Sequence, residues 1–230
     1  MVLTVDVISD AICPWCFVGK RRLETAVRAL DGRHEVRVRW HPFQLNPQMP
    51  KEGMTRTDYR TAKFGSWERS FALDAQMKEV GASEGIAFAL DRIERTPNTL
   101  DAHRLIGLSD EQGVQDAVVE ALFRAYFCAG RDIGDRETLL GVVAGAGLSR
   151  GRAQEVLDSG EGMDAIRAAE ERARQLGVLG VPFFVINGDS ALSGAQKPDV
   201  FLAAFERQLA TATPGGGDIC GVEPGQQPAC

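Results

Sequence analysis

The chain has 230 residues, 44% hydrophobic and 25% charged, enough apolar content for one large core or two modest ones and the balance of an ordinary soluble protein. Its formal net charge of −6 argues against nucleic acid or an anionic membrane as a partner, since either would call for a basic face. No apolar run is long enough to span a bilayer, and the first residues lack the charged, apolar and small-residue regions of a secretory signal. The expected location is therefore cytoplasmic, where disulfides are usually transient and catalytic.

Residues 2–8, Val-Leu-Thr-Val-Asp-Val-Ile, read as a buried strand, and an amphipathic helical pattern runs from Cys13 to about Leu30 with Val18, Leu23, Val27 and Leu30 near helical spacing. Between them lies Ser9-Asp10-Ala11-Ile12-Cys13-Pro14-Trp15-Cys16, so a cysteine pair opens the helix. Thiols three residues apart on a first helical turn share a face and lie close enough to join as a small disulfide ring. The positive end of the helix favours an anion, which predicts Cys13 as the exposed nucleophilic thiolate and Cys16, one turn in, as the buried resolving thiol. A structural thiol pair or half a zinc site is the competing reading. It is weakened because no second Cys pair or Cys/His pair follows at zinc spacing: the next cysteine is Cys128, and the histidines are His34, His41 and His103. No metal site is expected. Lys20, Arg21 and Arg22 read as a solvated helix face.

Asp31-Gly32 ends that helix, residues 35–40 alternate polar with apolar as a half-buried strand, and Pro42, Asn46-Pro47, Pro50 and Gly53 mark a loop. From about residue 55 to 177 the pattern is helical with no convincing strand, over 58–64, 67–80, 98–112, 115–129, 136–146, 150–157 and 162–176, with glycines at the breaks. Asn98 or Thr99 is a candidate N-cap. Two readings stand open at His103, a packed and hydrogen-bonded histidine or one facing the thiols across a groove with Asn98. Cys128 reads as a small buried hydrophobe, and Trp67, Phe71, Phe123 and Phe127 as core. A Val181-Pro182 step then opens an apolar strand over 183–186, and the order leaves its peptide isomer open. Asn187-Gly188 is a hairpin signal leading into residues 190–193, and a last helix runs from 200 to about 209. Residues 211–230 are rich in Gly and Pro and are expected to be mobile, yet carry Cys220 and Cys230, either incidental thiols, a local disulfide, or a second redox pair delivered to the first by a tether.

The segments Asp-x-Ile-Ser-Asp-x-Ile-Cys-Pro-Trp-Cys-Phe-Val-Gly-Lys (6–20), Trp-His-Pro-Phe-Gln-Leu-Asn-Pro (40–47), Asn-Thr-Leu-Asp-Ala-His (98–103), Ala-Tyr-Phe (125–127), Gly-Val-Pro-Phe-Phe-Val-Ile (180–186) and Ser-Gly-Ala-Gln (193–196) together resemble the FrnE-like branch of the DsbA family. The resemblance implies an α/β thioredoxin-like fold with an inserted all-helical domain: residues 1–46 and 178–210 as the two halves of the thioredoxin-like domain, 47–177 as the insertion and 211–230 as a tail. It implies a protein disulfide oxidoreductase or isomerase acting through Cys13 and Cys16, with Pro14, Trp15, Val181 and Pro182 in support and Val181 meeting extended substrate backbone. Protein or small-molecule thiols and disulfides are the implied partners. No cofactor beyond the redox-active disulfide is implied, with glutathione as a conceivable co-substrate. The same interrupted fold resembles kappa-class glutathione transferases and 2-hydroxychromene-2-carboxylate isomerases, which typically carry serine where this chain has Cys13. A redox-regulated chaperone or metal-binding protein is the non-enzymatic alternative.

Overall fold

A computed structural model describes residues 2–30, 32 and 34–211. Strand β1 (Val2–Ser9) is followed by helix α1 (Pro14–Ala29) and strand β2 (Glu35–Pro42), which pairs parallel to β1. A long, mostly helical stretch intervenes before the chain returns as β5 (Phe183–Ile186), antiparallel to β1, and β6 (Ser190–Ser193), antiparallel to β5, and ends in α9 (Pro198–Thr211). The sheet order is β2-β1-β5-β6, so the first strand is central and its neighbours come from opposite ends of the chain.

The alternation in β1 decides what covers each face. Leu3, Val5 and Val7 point to one side, where Val5 and Val7 stand opposite Ile186 and Phe184 and all five are fully buried beneath α1 and α9. Phe184 meets Phe201 of α9 edge-to-face at 4.7 Å between ring centroids. Ile8 points to the other side, into a smaller cluster with Phe43, Ala173 and Val178. Each fully buried side chain of this size contributes roughly 1.5–3 kcal/mol. The hairpin turn uses Asn187 and Gly188 at φ of 51° and 73°, the left-handed pair that matches strand twist, and Asn187 Oδ1 accepts a hydrogen bond from Thr4 N–H at 2.9 Å.

The intervening stretch contains α2 (Arg56–Phe64), α3 (Trp67–Ser83), α4 (Leu100–Glu111), α5 (Gln115–Phe123), a π-turn (Arg124–Cys128), α6 (Arg136–Gly145), α7 (Arg150–Asp158) and α8 (Met163–Gln175). It is not wholly helical: β3 (Met54–Thr55) pairs antiparallel with β4 (Arg95–Thr96). Two residues on each side are too few to leave an alternating pattern in the sequence. The segment expected to run as one helix over 115–129 does so through Cys128, widening to π-helical geometry from Arg124.

Side chains from sheet and helices form one continuous apolar cluster. Phe17 of α1 stacks on Phe123 of α5 at 5.1 Å, and Trp40 of β2 meets Phe123 edge-on at 6.3 Å. Around this contact the basic run of α1 departs from the expectation of a solvated face. Lys20 is only 2% exposed, with its ammonium 3.0 Å from Asp116 and 3.5 Å from Glu120 and bonded to Glu24. Arg21 pairs with Glu120 and Glu24, and Arg22 with Glu84 at 2.6 Å. The acidic face of α5 folds back on α1 and turns a charged surface into a seam. Two of the four aromatics expected in the core, Phe123 and Phe127, are buried, whereas Trp67 and Phe71 are exposed on the outer side of α3, Phe71 by 65%.

Candidate active site

The turn after β1 delivers Cys13 to the N-terminus of α1 as its N-cap residue, with no side-chain cap of its own and Pro14 at the first helical positions, where a missing N–H costs nothing. Cys13 N–H donates to Asp10 C=O at 3.0 Å, and Cys16 N–H to Cys13 C=O at 3.0 Å, closing the first turn with both sulfurs on it. Both are free thiols. Cys16 is 1% exposed, as expected. Cys13, expected to be the more exposed of the two, is so only narrowly at 4%, and both sulfurs lie largely covered. Trp15 is the exposed member of the motif at 43%.

Across from the thiols, the Val181–Pro182 peptide is cis. The Cys13 thiol donates to Val181 C=O at 3.6 Å, which ties its position to the residue ahead of β5. Pro182 is buried against Gly19 of α1: a Cβ on Gly19 would lie 3.1 Å from Pro182 Cγ and 3.0 Å from Phe184 Cζ, so the absent side chain is what lets α1 approach this loop.

The two thiols differ electrostatically. Burial pushes the Cys16 thiol well above the ordinary thiol range, with the adjacent Cys13 sulfur adding to the rise, while an N–H bond from Asp10 favours its thiolate and the Asp10 charge opposes it. Asp10 is completely buried. Its Oδ2 accepts from Leu45 N–H at 2.7 Å, its Oδ1 faces Ile12 N–H at 3.4 Å and stands 3.4 Å from His103 Nε2, which has no hydrogen-bond partner among the described residues. The sequence carried Asp10 within the motif without indicating a role.

Cys13, Pro14, Trp15 and Val181 line a cavity of about 480 Å³ between the thiol turn and helices α2 and α3. That volume suits a small molecule or a single extended chain. Its walls are mainly apolar, but Arg56, Arg60 and Lys63 of α2 also line it. These three recur at i, i+4 and i+7, a legible helix face whose destination the sequence does not reveal. Neither Asn98 nor His103, the possible groove residues, lines this cavity, and of the two readings left open at His103 the structure takes the packed one. Asn98 accepts from Leu100 N–H at 2.9 Å and donates to Met49 C=O at 2.7 Å, fixing the start of α4 and the 44–49 loop, and His103 is packed behind the thiols against Asp10. Cys128 is half-buried in the π-turn and burial raises its thiol. Among the described residues no group of three or more His, Cys, Asp or Glu is arranged to hold a metal ion, and no helix is long and apolar enough to cross a membrane. Cys220 and Cys230 lie outside the described residues, as does Asp31.

A four-stranded sheet with a dithiol at the N-terminus of its first helix, facing a proline that opens a later strand, defines a thioredoxin-like protein. Residues 4–206 match the DSBA-like thioredoxin domain family, and the chain belongs to that family. It is similar to a probable DsbA oxidoreductase, SCO1869 from Streptomyces coelicolor, at 36% identity, with 92% of each chain covered and a TM-score of 0.82. The fold is shared with the cytosolic disulfide reductase DsbM from Pseudomonas aeruginosa, solved with GSH, at 23% identity, 90% of this chain and 99% of that one covered, and a TM-score of 0.63. It is shared also with a 2-hydroxychromene-2-carboxylate isomerase at 16% identity, 90% and 97% coverage and a TM-score of 0.68.

Proposed function

We propose that this DsbA-like protein, of the FrnE-like branch, is a dithiol–disulfide oxidoreductase and isomerase in which Cys13 attacks and Cys16 resolves. The asymmetry of the pair carries the proposal. Cys13 stands at the positive end of α1 and lines the cavity, whereas Cys16 sits one turn behind it, buried, with its thiol held protonated. In the reducing direction the Cys13 thiolate attacks a substrate disulfide, one substrate sulfur leaves, and Cys16 displaces the other as the Cys13–Cys16 bond closes. In the oxidising direction a substrate thiolate attacks Cys13 of the disulfide form, and a second substrate thiol completes the exchange. Isomerisation is attack and release without net electron transfer. Trp15 and Pro14 shape the rim, and Val181 offers its backbone to an extended substrate.

The partners in this reading are thiols and disulfides, with glutathione as co-substrate and no bound cofactor, and the protein works in the cytoplasm. Cys220 and Cys230 are a second redox pair that exchanges with Cys13–Cys16, the tether replacing collision by effective concentration. The test is reduction of insulin disulfides and refolding of scrambled ribonuclease by wild type, Cys13→Ser and a chain ending at Thr211. Loss of both activities in Cys13→Ser supports the proposal, and a further loss in the shortened chain assigns the tail its role. A wild type inactive in both assays sinks general disulfide chemistry and leaves a glutathione-dependent or metal-binding protein.

A further inference from the structure

The cavity that Cys13 lines is positively charged against the sign of the whole chain. Arg56, Arg60 and Lys63 lie on its wall with a single carboxylate, Asp74, which is fully engaged by Arg56 at 2.7 Å and Arg60 at 2.6 Å. Lys63 has no carboxylate within ion-pair distance among the described residues. Its ammonium donates to the Tyr59 hydroxyl at 2.7 Å and stands 5.2 Å from the Tyr59 ring and 5.9 Å from the Phe64 ring. The Arg60 guanidinium lies 4.8 Å over Phe64, and burial followed by repulsion from Arg56 pushes its proton affinity down. The remaining wall includes Ile12, Leu45, Leu73 and Met77. Three cations and one carboxylate leave the cavity wall with an excess of positive charge, Lys63 standing at its exposed rim, and a negatively charged group on an apolar body complements that lining.

We infer that the preferred substrates of the Cys13–Cys16 pair are small, largely apolar disulfides carrying a negative charge, with the anion held by Lys63 and Arg60 of α2 and the sulfurs delivered to Cys13. The inference rests on the thiol–disulfide reading above and names its substrate class. Cys13, 4% exposed, meets its substrate inside the cavity, which a compact disulfide enters whole and a folded protein surface does not. The reduced protein converts R–S–S–R to two R–SH. The Cys13 thiolate forms a bond to one substrate sulfur as the S–S bond breaks and R–S⁻ leaves. Cys16, deprotonated, then attacks the Cys13 sulfur and expels the second R–S⁻. Two electrons pass from the dithiol to the substrate, and the two cysteine protons end on the two released thiols.

The experiment is a single turnover of the reduced full chain with two aromatic disulfides, the dianion dithiobis(nitrobenzoate) and the neutral dithiodipyridine, each rate divided by that of a free reference thiol. Cys13→Ser separates the two claims: if it reacts with both probes as fast as wild type, the thiol–disulfide reading has failed, and this inference with it. If Cys13 is the nucleophile, the expected result is a dianion-to-neutral ratio that favours the dianion, falls about threefold in Lys63→Gln and about tenfold in Lys63→Glu, and shrinks with added salt. A ratio near one in wild type, or one unmoved by Lys63→Glu, overturns it. So does insulin reduced faster than the dianion and equally fast by Lys63→Glu.

Discussion

His103 and Asp10 face each other in the interior behind the thiols, Nε2 to Oδ1 at 3.4 Å, and the Asp10 backbone N–H favours the Cys16 thiolate while its carboxylate charge opposes it. Replacing Asp10 by Asn removes the opposing charge and keeps an oxygen for Leu45 N–H. The expected outcome is a Cys16 thiol that ionises at lower pH than in the parent. It is checked by the pH dependence of alkylation in a Cys13→Ser background, where an unmoved or upward-shifted profile contradicts the electrostatic assignment. The Leu45 bond survives, but the new amide N–H₂ faces Ile12 N–H where Oδ1 accepted, so a loss of about 1–3 kcal/mol is expected.

The raised Cys16 thiol also makes stability depend on redox state and pH. The folded protein keeps the Cys16 proton where the unfolded chain gives it up, so the stabilisation is complete below the ordinary thiol value of 9.0 and is lost as pH climbs above it toward the folded value. Urea midpoints of the reduced protein are expected to fall above that pH relative to the Cys16→Ser variant. The disulfide form has neither the Cys13 nor the Cys16 thiol to titrate, so its midpoint falls less.

Gly19 sets how closely α1 approaches Pro182. In Gly19→Ala the new methyl meets Phe184 Cζ at 3.0 Å and Pro182 Cγ at 3.1 Å, so one of them must move. A loss of about 1–3 kcal/mol is expected, with a slower exchange rate because the Cys13–Val181 contact shifts. Gly107→Ala in α4 is the control. Nothing lies within 4 Å of its Cβ, and the helix gains roughly 0.5–1 kcal/mol, so thermal melts of the two variants move in opposite directions.

The seam between α1 and α5 responds asymmetrically. Lys20→Met removes the only deeply buried charge of its network and leaves partly exposed carboxylates, since Asp116 keeps 58% and Glu24 32% of its side-chain surface. The change is expected to cost about 1 kcal/mol or less. Removing both Glu24 and Asp116 leaves the buried ammonium short of partners and costs about 3 kcal/mol. Equal losses in denaturant titrations would show that Lys20 is more hydrated than its burial implies.

The local elements were readable because each rests on short-range chemistry. β1 shows its apolar run, α1 its cysteine, proline and spacing, and the Asn187-Gly188 hairpin its left-handed pair of residues. Helices α2 to α8 were marked by period and by glycine breaks. Misread features depend on a distant partner. Lys20, Arg21 and Arg22 have the pattern of a solvated face, and only the return of α5 with Asp116 and Glu120 covers Lys20 and Arg21, while Glu84 after α3 and Ala195 C=O engage Arg22. Trp67 and Phe71 have core composition, but α3 leaves its outer side uncovered.

By itself, the sequence determined a dithiol at the start of a helix, a later Val-Pro step, and the helical stretch that separates them, since residue type, spacing and helix polarity are properties of neighbouring residues. The tertiary structure alone decided that Cys13 is buried and opens onto a cavity, that Val181 C=O receives its thiol across 168 positions, that Asp10 and His103 meet behind it, and that Arg56, Arg60 and Lys63 face the same space. Those relations depend on which faces of distant elements are pressed together when the apolar core closes, and a linear pattern records the faces without recording their partners.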